Sequence, residues 1–264
     1  MRSLFLAALF LTTSLFAQVS NDLIVPRAAA PRIFIPVAGN AAGANGTYYR
    51  SDISVINLRT VAQVVNVYWY PLGAPGSSTP LRQITINPQS GLASEDFVGD
   101  VIGTTGLGGI EFVGVTSGGL FDPDAQLHVT SRVWTPRPDA GPGTMSQTLP
   151  AIVAGQATSN VKAVFGMRRG PQYRLNVGVM NLASTTQTFH VTVAVATSSG
   201  VVTDTLDIDV PARSIRQELV PGTSSGLVQV LIEDIGGGAG EWQGWASSVD
   251  NQSGDAWSQI AVGG

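Results

Sequence analysis

Cysteine is absent from all 264 residues of the chain. Disulfide staples, thiol catalysis and Cys-ligated zinc are therefore excluded, and the fold has to rest on apolar burial and backbone pairing. Lysine is almost missing too, with Lys162 alone beside thirteen arginines, and histidine occurs only as His128 and His190. Charged residues make up 12% of the chain, about half the share of an average soluble domain. A net charge of −4 without a basic stripe gives a phosphate backbone nothing to bind, so nucleic acid is not expected as a partner. No run after the first residues approaches about 18 uninterrupted apolar positions, so no membrane span is expected in the mature chain.

The beginning of the chain has a different character. Met1-Arg2-Ser3 is followed by the apolar stretch Leu4 to Leu11, then by Leu15-Phe16-Ala17 before Gln18. A short basic start, an apolar stretch and a small residue form a secretory signal peptide over residues 1–17, with cleavage expected at Ala17. Residues 18–32 then read as an extended segment containing Leu23-Ile24-Val25-Pro26. The missing cysteine excludes a lipid anchor after the signal, and the expected address is secreted, periplasmic or extracellular.

Most informative is an internal repeat. Tyr49-Arg50-Ser51-Asp52-Ile53-Ser54-Val55-Ile56-Asn57-Leu58 returns as Tyr173-Arg174-Leu175-Asn176-Val177-Gly178-Val179-Met180-Asn181-Leu182. Later segments follow in matching order, which marks a copied supersecondary unit. Apolar residues alternate with polar ones in short runs separated by Gly, Pro, Asn and Ser, the period-two pattern of strands. Seven strands are expected in each copy, the count of an immunoglobulin-like or fibronectin-like sandwich. The expected fold class is all-β, with two tandem antiparallel β-sandwiches over residues 33–152 and 158–262.

Side-chain alternation makes one hairpin specific. Phe189, Val191, Val193 and Val195 should share a buried face with Leu206, Ile208 and Val210, leaving His190 directly opposite Asp207 on the outer face. In the first copy the same frame buries Val65, Val67, Trp69, Ile84 and Ile86 and turns Tyr68 and Tyr70 outward.

Several residue groups are candidates for sites. Asn57 and Asn181 end the repeated strand, where an Asn side chain sets a turn by bonding nearby backbone. Arg50 and Arg174 precede Asp52 and Asn176 by two positions, on the same strand face. They suit either a carboxylate or glycan ligand or packing against carbonyls. Gly222-Thr223-Ser224-Ser225-Gly226 has the letters of a hydrolase nucleophile elbow, but strand-like Leu227 to Ile232 follows where a helix is required. Asp122 with Asp124, and Asp207 with Asp209, have the spacing of calcium ligands without the rest of a calcium loop. Convergence of Glu95, Asp96 and Asp100 with a histidine would be needed for acid–base catalysis. Sugar-binding sandwiches stack rings on exposed aromatics, and the ligand-binding candidates here are Tyr68, Tyr70, Trp242 and Trp257, with Tyr48 and Tyr49 near the repeat. No metal or cofactor is expected.

The run Gly43-Ala44-Asn45-Gly46-Thr47-Tyr48-Tyr49-Arg50-Ser51-Asp52-Ile53, continuing to Asn57, resembles bacterial secreted proteins with uncharacterised tandem immunoglobulin-like repeats. In those, a Gly-x-Asn-Gly-Thr turn leads to an aromatic, an Arg and an Asp-containing strand ending in Asn. The second copy has Gly166-Met167-Arg168-Arg169-Gly170-Pro171-Gln172 in place of that turn. The resemblance implies export and an immunoglobulin-like fold, and carries over no reaction or ligand. Together these readings point to a non-catalytic protein of attachment, matrix or display. The alternatives are a carbohydrate-binding protein and a fibre or surface-layer subunit assembled by strand addition. Expected partners are a glycan, another surface protein or a second copy.

Overall fold

The computed structural model describes residues 29–43, 46–137, 141–155, 160–197, 200–237 and 240–263, so the segment 1–28 and Asn45 lie outside the described residues. Antiparallel strands supply nearly all the regular structure. The first half contains β1 (Arg32–Ala42), β2 (Tyr48–Asn57), β3 (Gln63–Pro71), β4 (Arg82–Ile86), β5 (Ser90–Ser94), β6 (Gly106–Val115), β7 (Leu127–Pro136), β8 (Thr144–Gln147) and β9 (Ile152–Val153). In the second half they are β10 (Val161–Arg169), β11 (Tyr173–Asn181), β12 (Gln187–Thr197), β13 (Gly200–Val210), β14 (Ser214–Leu219), β15 (Gly226–Asp234), β16 (Trp242–Asp250), β17 (Ala256–Ile260) and β18 (Val262–Gly263).

The two halves share one strand order. In the first, one layer runs β4-β3-β6-β1-β9 and the other β5-β2-β7-β8, joined where Ala41 and Ala42 pair with Tyr49 and Tyr48. In the second, the layers run β13-β12-β15-β10-β18 and β14-β11-β16-β17. Even the irregularity is copied: the register slips between Ile35 and Ala38 on β1, and between Val164 and Met167 on β10. The repeat therefore extends through every strand of the described residues, well past the ten matched letters.

Among the described residues nine strands stand in each half where alternation predicts seven. Those unforeseen are β5 and β14, which edge the β2 and β11 layers, and the two-residue β9, while the last expected strand, Ala256 to Val262, divides into β17 and the two-residue β18. Ser90-Gly91-Leu92-Ala93-Ser94 and Ser214-Ile215-Arg216-Gln217-Glu218-Leu219 are too polar to read as strands, and they form because an open edge of a neighbouring strand offers its backbone groups. A single π-helical turn, Phe97–Ile102, follows β5. Asp96 accepts from the Gly99 amide at its start, Gly103 closes it at φ 74°, and Phe97, Val98 and Ile102 are buried.

Each half fills its interior from alternate positions of its two layers. The first core holds Ile33, Ile35, Ile53, Val55, Val65, Val67, Ile110 and Phe112, and the second Leu175, Val177, Val179, Phe189, Val191, Val193, Val230 and Trp242. The predicted register holds, with His190 opposite Asp207 and Phe189, Val191, Val193 and Val195 fully buried.

A third apolar cluster lies between the halves. Phe34, Tyr70, Leu149 and Ile152 from the first pack with Met180, Leu182, Ile215 and Trp245 from the second, and Tyr68 packs partly buried against them. The face of β3 read as outward is thus outward from its own core but covered by the other half. Gly109 permits this approach, since a Cβ there would lie 2.9 Å from the Met180 Cε and 3.1 Å from the Ile215 Cγ2. Backbone pairing crosses the same junction. Leu72 bridges Ile215 in parallel, the Gly73 amide donates to the Ile215 carbonyl at 2.9 Å, and the Ser214 hydroxyl donates to the Pro71 carbonyl at 2.7 Å. Arg32 completes it, pairing with Glu111 of its own half and Glu241 of the other at 2.5 Å each, while the Tyr70 hydroxyl donates to the second Glu111 oxygen at 2.5 Å.

Candidate functional site

The repeated asparagines are structural. The Asn57 amide donates to the carbonyls of Val61, Ile86 and Asn87, and its own oxygen accepts from the Arg59 amide. Asn181 repeats the set with Thr185, Val210, Pro211 and Ala183. Both side chains are fully buried, each tying the turn after its strand to the end of a second hairpin.

The two arginines have diverged. Arg50 lies 3.7 Å from Asp96 and stacks near the rings of Tyr48 and Trp134. Arg174 has the neutral Asn251 side chain as its hydrogen-bond partner, at 3.1 Å, and no carboxylate among the described residues. Asp52 is taken by Arg132, whose Nη2 approaches to 2.6 Å, whereas the Asn176 amide has no hydrogen-bond partner among the described residues. Gly46 adopts φ 76°, the left-handed region its turn requires.

Polar groups read as possible chemistry have structural duties. Asp122 accepts from the Asp124 amide and pairs with Arg59. Burial alone would raise its pKa, but these bonds hold the carboxyl below the usual range. Asp207 bonds His190 at 2.6 Å, and Asp209 accepts from the Thr188 hydroxyl at 2.7 Å. Asp96 caps the π-turn and Asp100 accepts from the Ser94 hydroxyl, so the trio with Glu95 does not converge on a histidine among the described residues. Gly222–Gly226 leads into β15, not a helix, and the buried Arg169 grips it through the Pro221 and Ser224 carbonyls while pairing with Asp204. No group of three metal-ligating side chains occurs among the described residues.

Two of the four aromatic candidates are withdrawn from solvent. Tyr70 is 0% exposed in the junction between the halves, and Trp242 is 1% exposed in the second core, tilted against Phe189. Parity explains both: Trp242 faces inward with Ala246, and the outward Tyr70 meets the other half. Tyr68 is half-buried against the junction cluster. Trp257 remains 37% exposed.

Around Trp257 there is an open cleft of about 480 Å³ lined by Arg168, Tyr173, Ser248, Asp250, Ser253, Asp255 and Trp257. Register places Tyr173 opposite Asp250 and Trp257 opposite Ser248, so all four share one sheet face at the end of the second half. Arg168 lies 5.8 Å from the Tyr173 ring centroid. Amides of Ser253 and Gln252 hydrogen-bond Asp250 and lower its pKa, which keeps the carboxylate charged. Rings, hydroxyls and carboxylates thus meet in one groove. Tyr173 was legible as part of the repeat, but its meeting with Trp257 depends on pairing across three strands.

A second cleft, of about 270 Å³, is a wedge between the halves. Its floor is the outer face of β11, β14, β16 and β17, and its other wall comes from β1, β6, β7 and β8 of the first half. No sequence pattern marks it, because its walls are far apart along the chain. No protein-family model matches the chain, and no curated protein matches its sequence.

Proposed function

We propose that this is a secreted bacterial protein of two tandem immunoglobulin-like β-sandwiches, acting without catalysis in surface attachment, matrix or display. The leader-like first 17 residues and the glycine-asparagine turn motif support export and the family resemblance. Strand-for-strand correspondence of the halves supports the tandem-sandwich reading. The observation that carries the role is the junction: a third apolar cluster and the Arg32 bridge to Glu111 and Glu241 make a continuous scaffold of two modules, suited to holding a binding surface at a fixed distance and angle.

Carbohydrate binding is the second reading, and the Trp257 cleft favours it. An exposed indole beside Tyr173, with Asp250, Asp255 and Ser253 to take hydroxyl hydrogen bonds, has the make-up of a sugar platform. A second copy is a further partner, since the outer face of β10 and β15 leaves Phe165 54%, Leu227 59% and Leu231 37% exposed. Mature protein displayed against a polysaccharide array should be retained by at least one glycan, with retention lost in Trp257→Ala. Retention that survives both Trp257→Ala and Tyr173→Ala, or none at all, removes the carbohydrate reading and leaves protein surfaces as the target.

A further inference from the structure

The wedge between the halves is independent of the Trp257 cleft and has the opposite character. Aliphatic side chains from both halves, among them Val37, Leu107, Met145, Ile215 and Val249, make most of its wall. Arg174 is the only charged residue among those lining it. Its guanidinium has a neutral amide as partner and no carboxylate among the described residues, although the equivalent Arg50 has Asp96 nearby. Asn176 projects from the same face of β11 with a side-chain amide that has no partner among the described residues, and Tyr49 lines the wall opposite. Three other polar lining groups are already engaged: the Gln147 amide donates to the Ser247 hydroxyl at 2.8 Å, and the Gln217 oxygen accepts from the Trp245 indole at 3.3 Å.

We propose that this wedge binds a small amphipathic monocarboxylate, its apolar body against the aliphatic wall and its carboxylate held by Arg174 and Asn176. A guanidinium fork matches the two carboxylate oxygens, and a lone positive charge in an acid-free cleft selects an anion. The volume lies just below the roughly 300–1,000 Å³ of pockets for drug-sized ligands, which favours a short alkyl or aryl acid over a larger lipid. Because the walls belong to different halves, the ligand bridges them and stabilises the junction.

Isothermal titration of the full mature chain with octanoate, and with 1-octanol as the uncharged counterpart, tests this. Octanoate should bind one-to-one and more tightly than octanol, and Arg174→Gln should weaken octanoate about tenfold or more while leaving octanol unchanged. Ala256→Trp fills the wedge without altering charge and should abolish both. Retention of glycan by Arg174→Gln would show the two sites to be separate. The proposal is overturned if octanoate does not bind, if it binds at several equivalent sites, or if its affinity is the same in wild type, Arg174→Gln and Ala256→Trp.

Discussion

At the scale of single residues, Asn57 and Asn181 concentrate the most structural work. One amide donor pair serves three carbonyls, two of which come from a hairpin about thirty positions away. Replacing Asn181 with alanine leaves those buried carbonyls without a donor, for an expected loss of about 2–4 kcal/mol in chemical denaturation. Asn181→Asp should be worse at neutral pH, because an ionised carboxylate then faces carbonyl oxygens. An alanine variant as stable as wild type would show that water replaces the amide at no cost. The sequence showed that these asparagines end a repeated strand and set a turn. Their hold on a distant hairpin was not legible, because a side chain's remote partners leave no local pattern.

Lys162 is the second residue with a measurable signature. Its ammonium is 1% exposed, donates to the Trp242 carbonyl and the Gln243 oxygen, and lies 4.7 Å from the Trp242 ring centroid. Burial lowers its pKa to about 8, with Glu241 pulling the other way. Between pH 8 and about 10.4 the unfolded chain still holds the proton that the folded chain has released, so the unfolded state binds more protons and stability rises with pH. Tyr70 acts in the reverse sense above about pH 10, since burial and Glu111 raise its pKa and the folded state keeps its proton longer. Urea midpoints should therefore climb from pH 7.5 to 9.5 in wild type and stay flat in Lys162→Met. A flat wild-type profile would show that Lys162 titrates normally.

At the scale of elements, the β12–β13 hairpin shows what periodicity can settle. Eleven consecutive pairs, from Gln187 with Val210 to Thr197 with Gly200, keep one register. That register follows from burying four alternate residues of β12, because a slip of one position would turn all of them to solvent. The His190–Asp207 pair is a consequence of it and stabilises it little: at 36% and 60% side-chain exposure it is worth under about 1 kcal/mol. His190→Ala should change stability by no more than that, whereas Val193→Asp places a charge in the second core and should prevent folding. A large loss in His190→Ala would mean the pair fixes the register. Alternation failed where there was none to read, in the polar edge strands β5 and β14 and in the π-turn, all positioned by neighbouring backbone.

At the scale of the whole molecule, the repeat identified the two copies but not their embrace. A sequence frame separates core-facing from outward positions, yet it cannot say whether an outward face meets water or another module. Tyr68 and Tyr70 illustrate the limit, since the same parity that turned them away from the first core delivered them to Met180, Ile215 and Trp245. The wedge follows from this geometry, whereas the Trp257 cleft is built by the second half alone, from residues of β10, β11, β16 and β17 and the turn between the last two. The corresponding outer face of the second half has no module on it among the described residues, and the same positions there carry Thr192 and Ala194 in place of Tyr68 and Tyr70.

The account depends on the two halves behaving as one body, and differential scanning calorimetry of the intact chain tests that directly. A single transition is predicted for wild type, with calorimetric and van't Hoff enthalpies in agreement, splitting into two when Gly109→Val wedges the junction open. Two separated transitions in the wild type, unchanged by Gly109→Val, would contradict it.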